Sequence, residues 1–224
     1  MSWILCIDTA VQSSSICLLQ QDKVVAVKES SDQKESASWL QVAIKELLAE
    51  NDLSLQQLNA IAVSAGPGSY TGLRVGMASA KGLCYALQIP LIALNTLEVM
   101  ASSVDGQNAD LICPMIDARR MEVFTAVYTK ELNIIQPPHP LILSDNSFEE
   151  ELKTHSILFT GNGSTKFKPL VSEKNALFVD HHFNAASMAV LACKHYENKA
   201  FADIAYSEPY YGKEFQSPFF KSVI

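Results

Sequence analysis

An α/β fold of two lobes is predicted by three observations in the sequence. Short apolar runs at residues 3–7, 14–19 and 24–28 follow one another through short polar connections, which makes them an antiparallel meander. Helix-period stretches at 35–50 and 71–88 then alternate with strand-like runs at 60–64 and 91–94, as crossover units do. An aperiodic polar stretch at 102–108 precedes a second set of strand-like runs, so residues 1–104 are assigned to a first lobe and 105–224 to a smaller second one. At about 150 residues per domain, a chain of 224 residues has room for one large domain or two small lobes, and three domains are excluded.

The first strand, Trp3-Ile4-Leu5-Cys6-Ile7, is continuously apolar and runs into Asp8. The second is reached through Asp8-Thr9-Ala10-Val11-Gln12-Ser13, and the third through the polar turn Gln20-Gln21-Asp22-Lys23. In the helix at 35–50, Leu40, Ile44, Leu47 and Leu48 form the core stripe while Trp39 and Ala43 add a second line, an apolar face wider than one core requires. Ser54-Leu55-Gln56-Gln57 has the form of a capping box, which places a short helical turn before the strand at 60–64.

That strand ends in Ala65-Gly66-Pro67-Gly68-Ser69-Tyr70-Thr71-Gly72-Leu73-Arg74-Val75-Gly76. The helix that follows is stopped by Pro90 and sets Gly72, Gly76 and Ala80 four apart on one line, where another helix could approach closely. A glycine inside a helix costs roughly 1 kcal/mol relative to alanine, so close packing is expected to justify these. The strand at 91–94 and a helix starting near Asn95 complete a β-β-β-α-β-α-β order, that of ribonuclease-H-like lobes.

Past the boundary, strands at 111–116 and 121–128 form a hairpin about the tight turn Asp117-Ala118-Arg119-Arg120. Residues 136–147 contain Pro137-Pro138-His139-Pro140 and read as an irregular surface excursion, because proline cannot donate to a ladder. A strand at 156–160, the turn Gly161-Asn162-Gly163, a short strand at 176–179 and a helix at 184–198 follow.

Composition narrows the function classes. With 48% hydrophobic and 18% charged residues the chain can build a core and is far from disordered composition. The net charge is -7, and the only arginines are Arg74, Arg119 and Arg120, which argues against a chain that grips a polyanion by itself. Five scattered cysteines without a CxxC pair fit buried thiols in a reducing compartment. The first residues lack a signal peptide's basic leader, and no apolar stretch approaches the roughly 20 residues of a membrane span, so a cytoplasmic protein with no membrane partner is expected.

Four features bear on chemistry. The loop of Gly66, Gly68 and Ser69 follows a strand and opens a helix, so it either presents amides to an anion or simply makes a tight turn. Its spacing matches neither GxGxxG nor a GK[ST] phosphate loop. Asp8 and Thr9 could stand beside a magnesium-bound phosphate, or Asp8 could cap a turn locally. Asp117, Arg119, Arg120 and Glu122 make a polar cluster, either a solvated turn with local ion pairs or an electrostatic contact to a partner or anion. All five histidines lie at or after His139, and the adjacent His181 and His182 lack the spacing of a helical metal pair, so no metal centre is expected.

The segments Ile4-Leu5-Cys6-Ile7-Asp8-Thr9, Ser64 through Gly76, Ala80-Lys81-Gly82-Leu83 and Met115-Ile116-Asp117-Ala118-Arg119-Arg120-Met121-Glu122-Val123-Phe124 together resemble the TsaB family, also called YeaZ. The resemblance implies a two-lobed fold of the actin-like ATPase (ASKHA) superfamily, whose relatives also carry an old glycoprotease label. It implies a role in making threonylcarbamoyladenosine beside the anticodon of tRNAs that read codons beginning with A. There a TsaD-type subunit transfers the threonylcarbamoyl group, a TsaE-type subunit supplies ATPase activity, and the TsaB-type subunit is the dimerising partner, an accessory rather than an enzyme by itself. TsaD-type proteins carry a His-x-x-x-His metal pair on their first long helix. The corresponding stretch here, Gln33-Lys34-Glu35-Ser36-Ala37-Ser38-Trp39, has neither histidine.

The same resemblance implies that ATP or ADP with magnesium binds only at a composite site with partners, and that tRNA is reached indirectly through the complex. It assigns the partner surface to the two first-lobe helices, which would pair with a TsaD-type chain or a second copy. The residues expected there are Trp39, Leu40, Ala43, Leu47, Gly72, Val75, Gly76, Ser79 and Leu83, in a twofold or pseudo-twofold interface of about 1,600 Å². Leu40, Leu47, Val75 and Leu83 serve equally well as cover for their own sheet. Gly76→Glu is expected to abolish pairing without unfolding the chain. The competing expectation is a stand-alone actin-like-fold, ATP-dependent small-molecule kinase that uses Asp8, the Gly66–Gly72 loop and Gly161-Asn162-Gly163. A metalloprotease has no chemical basis without a histidine pair.

Overall fold

Strand β1 (Trp3–Asp8) pairs antiparallel with β2 (Ser15–Gln20), setting Cys6 opposite Cys17 and Asp8 opposite Ser15, and β2 pairs antiparallel with β3 (Lys23–Glu29). Helix α1 (Ser36–Glu50) crosses over to β4 (Ala60–Ser64), parallel to β1, and α2 (Tyr70–Leu87) crosses to β5 (Leu91–Leu94). The resulting sheet order is β3-β2-β1-β4-β5, and its first three strands form the antiparallel meander that the sequence predicts. This computed structural model describes residues 2–11, 13–30, 36–106 and 108–213, with Ser36 described by its backbone only. Gln33, Lys34 and Glu35 therefore lie outside the described residues.

Alternation along the central strands explains why they read as unbroken apolar runs, since both faces of this sheet are covered. Leu5, Ile7, Ile16 and Leu18 pack under Leu40, Ile44, Leu47 and Leu48 of α1 and Met77, Ala80 and Cys84 of α2. Ile4, Cys6, Cys17 and Leu19 point the other way. The Ser54 turn is a 3-10 turn (Leu55–Gln57) in which Gln57 Oε1 accepts from the Ser54 N–H at 2.9 Å, so its capping signature is real.

A second sheet repeats the same topology. It comprises β6 (Leu111–Asp117), β7 (Glu122–Thr129), β8 (Ile134–Ile142), β9 (Ile157–Thr160) and β10 (Ala176–Val179), in the order β10-β9-β6-β7-β8. Helices α4 (Glu149–Thr154) and α5 (Ser164–Phe167) fill its crossovers. The expectation of an irregular excursion from residue 136 is corrected here, because residues 134–142 form a strand. It lies at the sheet edge, where Pro137, Pro138 and Pro140 need not serve a second neighbour. Phe148, Phe159 and Phe167 meet edge to face at centroid distances of 4.9 to 5.5 Å and fill one side of this sheet.

The two lobes exchange their third helices. Helix α3 (Thr96–Ser102) leaves the first sheet yet buries Leu97, Met100 and Ala101 against Ile112, Ile116, Phe124 and Tyr128 of the second. Conversely, the 3-10 turn Ala185–Met188 and α6 (Ala189–Glu197) leave the second sheet and bury Met188, Leu191 and Ala192 against Ile4, Cys6, Leu19 and Ile92 of the first. Residues 185–192 thus complete the core of the first lobe although they follow the second sheet in the chain.

The chain then returns along α2. Lys81 Nζ donates to Ala205 O at 3.2 Å and Ser207 O at 3.0 Å, and the Tyr210 N–H donates to Ala65 O at 2.7 Å. Among the described residues no helix is long and apolar enough to cross a membrane. All five cysteines are free thiols, and burial pushes Cys17 and Cys113 up to about 12 and Cys84 to about 11, which makes them packing groups and not nucleophiles.

Candidate functional site

Asp8 ends β1 inside the protein, where its Oδ1 accepts from the Ala10 N–H at 3.0 Å. Burial pushes its carboxyl above the usual carboxylate range; hydrogen bonds from the Ala10 backbone and the Ser64 hydroxyl work against that rise, and Glu29 adds to it. Thr9 donates through Oγ1 to Gly72 O at 2.7 Å, fastening the β1–β2 connection to the first turn of α2. The glycine-rich loop folds onto the same connection. The Ser69 N–H donates to Ala10 O at 2.7 Å, and a Cβ on Gly68 would lie 2.3 Å from that oxygen. Gly66, at φ +109, is closed from outside by Tyr210, whose carbonyl oxygen would be 2.1 Å from an added Cβ.

Residues that would have to embrace a magnesium-bound phosphate therefore embrace Ala10 and Tyr210 instead, and they do not fit that group on this chain alone. The loop glycines pack against Ala10 and Tyr210, and Asp8 caps the Ala10 N–H.

The second-lobe cluster faces the same loop across a cleft of about 540 Å³ lined by Gly68, Ser69, Tyr70, Asp117, Arg119 and Asn162, among others. Asp117 Oδ1 accepts from the Arg119 N–H at 2.6 Å and from Lys166 Nζ at 2.5 Å, and the Asp117 N–H donates to Asn162 Oδ1 at 2.9 Å. Glu122 is paired with Lys213. Arg119 and Arg120 stand exposed at the hairpin tip, both in left-handed backbone, at φ 68 and 50. Sequence reasoning missed a neighbouring group: Arg74 lies 4.1 Å from the ring centroid of Tyr70, and its Nε donates to the Tyr211 hydroxyl at 3.1 Å. The spacing of four between Tyr70 and Arg74 signals that stack; Tyr211, far along the chain, gives no local signal.

The nine residues expected at a partner surface separate into two sets. Leu40, Ala43 and Leu47 are spent in the core under α1. Gly72 and Gly76 face Thr9, where an added Cβ would lie 1.9 Å from its carbonyl oxygen and 2.3 Å from its Oγ1 respectively. Their small size admits the β1–β2 connection and not a second helix, and this corrects the expectation for these five. Trp39, Val75 and Leu83 are half-buried against the same core, and Ser79 Oγ accepts from Gln41 Nε2 at 3.0 Å, tying α2 to α1. The outward side of the helix pair is built from other residues. Val42 is 54% exposed and Tyr85 74%, and Gly82 has nothing within 4 Å of its Cβ position.

A family model described as TsaD, tRNA N6-adenosine threonylcarbamoyltransferase, matches residues 24–211. The tRNA threonylcarbamoyladenosine biosynthesis protein TsaB of Bacillus subtilis is 34% identical over 76% of this chain and 75% of its own length. The chain belongs to the TsaB family. The Escherichia coli TsaB protein is 35% identical over 58% of this chain and 56% of its own length. A Pseudomonas aeruginosa crystal structure, described as similar to peptidase YEAZ, superposes with a TM-score of 0.82 over 95% of this chain and all of that one, at 22% identity. The activator of 2-hydroxyisocaproyl-CoA dehydratase from Clostridium difficile, solved with ADPNP, superposes at a TM-score of 0.53 with 9% identity, over 88% of this chain and 97% of that one. The fold is thus the two-lobed actin-like one, and the TsaB family resemblance seen in the glycine-rich and Asp117–Glu122 motifs holds across most of the chain.

Proposed function

We propose that this chain is an accessory subunit of tRNA threonylcarbamoyladenosine biosynthesis, which binds and orients a TsaD-type transferase subunit through the outward side of α1 and α2. The observation that supports this most directly is that helix pair. It is tied internally by Gln41 and Ser79, yet it leaves Val42 on α1 and Tyr85 on α2 exposed, and Gly82, one turn before Tyr85, open. Exposed large apolar side chains next to a glycine offer a partner helix both area and close approach. A TsaD family model spans these same helices, so a transferase-type chain has counterparts for them, and like surfaces can meet about a pseudo-twofold axis. A second copy of this chain could use the same surface when the transferase is absent.

ATP or ADP with magnesium belongs, on this reading, to a composite site completed by TsaD- and TsaE-type partners, because this chain's own loop is closed by Ala10 and Tyr210. Gel filtration and calorimetry of the chain mixed with a TsaD-type subunit test the surface. Gly82→Glu fits the monomer and is expected to weaken the complex by at least about 100-fold, the scale of an uncompensated buried charge, with a melting temperature that is level or raised. An unchanged affinity would remove the surface from the proposal. A stand-alone kinase would instead bind magnesium-ATP at micromolar concentration as an isolated chain, and titration calorimetry distinguishes the two.

A further inference from the structure

All three arginines of a chain with net charge -7 lie on the two elements that flank one cleft, the first turns of α2 and the tip of the β6–β7 hairpin. Arg119 lines the cleft, Arg120 adjoins it, and Arg74 lies over Tyr70, which lines the opposite wall. The carboxylates nearby do not neutralise them. Asp117 is paired with Lys166 and Glu122 with Lys213, and among the described residues Arg119 and Arg120 have no ion-pair partner. Nor does the fold favour arginine at the tip. Both residues hold left-handed backbone, where glycine or asparagine is at ease and a long side chain is not. Two arginines on left-handed backbone without an ion-pair partner, beside a cleft whose other wall carries an Arg-on-Tyr stack, point to a phosphate-bearing ligand that also offers flat rings.

From this arrangement we infer that the Arg119–Arg120 tip and Arg74 form a direct RNA contact, which holds the phosphate backbone of the tRNA substrate across the cleft mouth. This rests on the proposed role in tRNA modification and goes beyond it, since that role alone has tRNA reached only through partners. Few contacts are involved, so the net negative charge of the chain is no obstacle: the patch positions RNA that other subunits help to hold.

The test titrates a tRNA transcript with the full chain, alone and in complex with a TsaD-type subunit, over a range of salt concentrations. In the double variant Arg119→Asn and Arg120→Asn, two lost phosphate contacts flatten the log–log salt slope by about 1.4 to 1.8. At 0.1 M salt the corresponding loss of affinity is about 25-fold or more, and it vanishes near 1 M. The double lysine variant is expected to restore both slope and affinity. Melting temperature in the asparagine variant should stay level or rise, because asparagine tolerates the left-handed backbone. An unchanged slope with unchanged affinity would overturn the inference. So would weakened binding to the protein partner with tRNA affinity intact, which would mark the tip as a contact for an acidic protein surface. If the chain fails to bind a TsaD-type subunit but the variants still flatten its own tRNA slope, the RNA contact stands and the accessory role falls.

Discussion

Gly76 and Gly82 lie six residues apart on α2, and their surroundings make them opposites. An alanine at 76 would press its Cβ to 2.3 Å from Thr9 Oγ1, displacing the hydroxyl that bonds Gly72 O. Overpacking of this kind costs about 1–3 kcal/mol, so Gly76→Ala should lower the urea midpoint, and Gly76→Glu should unfold the chain rather than merely separate it from a partner. Gly82→Ala meets open space and should raise stability by about 0.5–1 kcal/mol through helix propensity. The same denaturation series checks both signs. Small residues at a spacing of four are legible in the sequence; what they admit is not, because the neighbour is Thr9, 63 residues before Gly72 and 67 before Gly76. Asp8 adds a pH effect. Its folded pKa is raised, chiefly by burial, so its contribution to stability is largest below the unfolded value and is lost as pH rises through the folded one. Asp8→Asn keeps the acceptor for the Ala10 N–H and removes the buried charge. It should therefore stabilise the protein at pH 7 and have little effect near pH 3, as urea melts at the two pH values would show.

Elements are legible in the sequence where a single periodicity decides them and not where tertiary context does. The strands at 60–64 and 91–94 match the sequence reading, since buried parallel strands are short apolar runs bounded by turn residues. Strand β8 went unread because its three prolines argue against a ladder, and only its edge position makes them harmless. The strap at 200–213 gives no periodic signal, since its partners lie far along the chain: the Ala202 and Tyr210 N–H groups donate to Leu91 O and Ala65 O, and α2 reaches it through a side chain. On α2, Lys81 Nζ donates to two strap carbonyls. Lys81→Ala removes two hydrogen bonds from a charged donor, each worth about 1.5–3 kcal/mol when well shielded and less at this half-exposed site. The expected result is faster hydrogen exchange at the amides of Ser207 and Tyr210, with the central amides of β1 and β4 unaffected. Equal acceleration everywhere would mean that the strap belongs to the global unfolding unit and is not a separately held segment.

At the scale of the whole molecule, two copies of one topology are locked together by the exchange of their third helices. The sequence shows two sets of strands and a polar stretch between them, so a cut after Val104 looks harmless on paper. It is not harmless in the structure. A fragment of residues 1–104 keeps every strand of the first sheet but loses Met188, Leu191 and Ala192, which cover Ile4, Cys6, Leu19 and Ile92. It also bares the side of α3 that Leu97, Met100 and Ala101 turn toward the second sheet. At about 1.5–3 kcal/mol for each large aliphatic side chain returned to water, six or so such residues amount to on the order of 10 kcal/mol. That equals the whole stability of a typical domain, about 5–15 kcal/mol. The fragment should therefore be soluble only as a loosely packed species, with far-UV signal but weak near-UV dichroism and no cooperative melt. Joining residues 180–200 to it through a flexible linker restores the missing cover and should restore the melt. A sharp transition in the unaided fragment would show that the lobes are independent domains and that the helix exchange is incidental to folding.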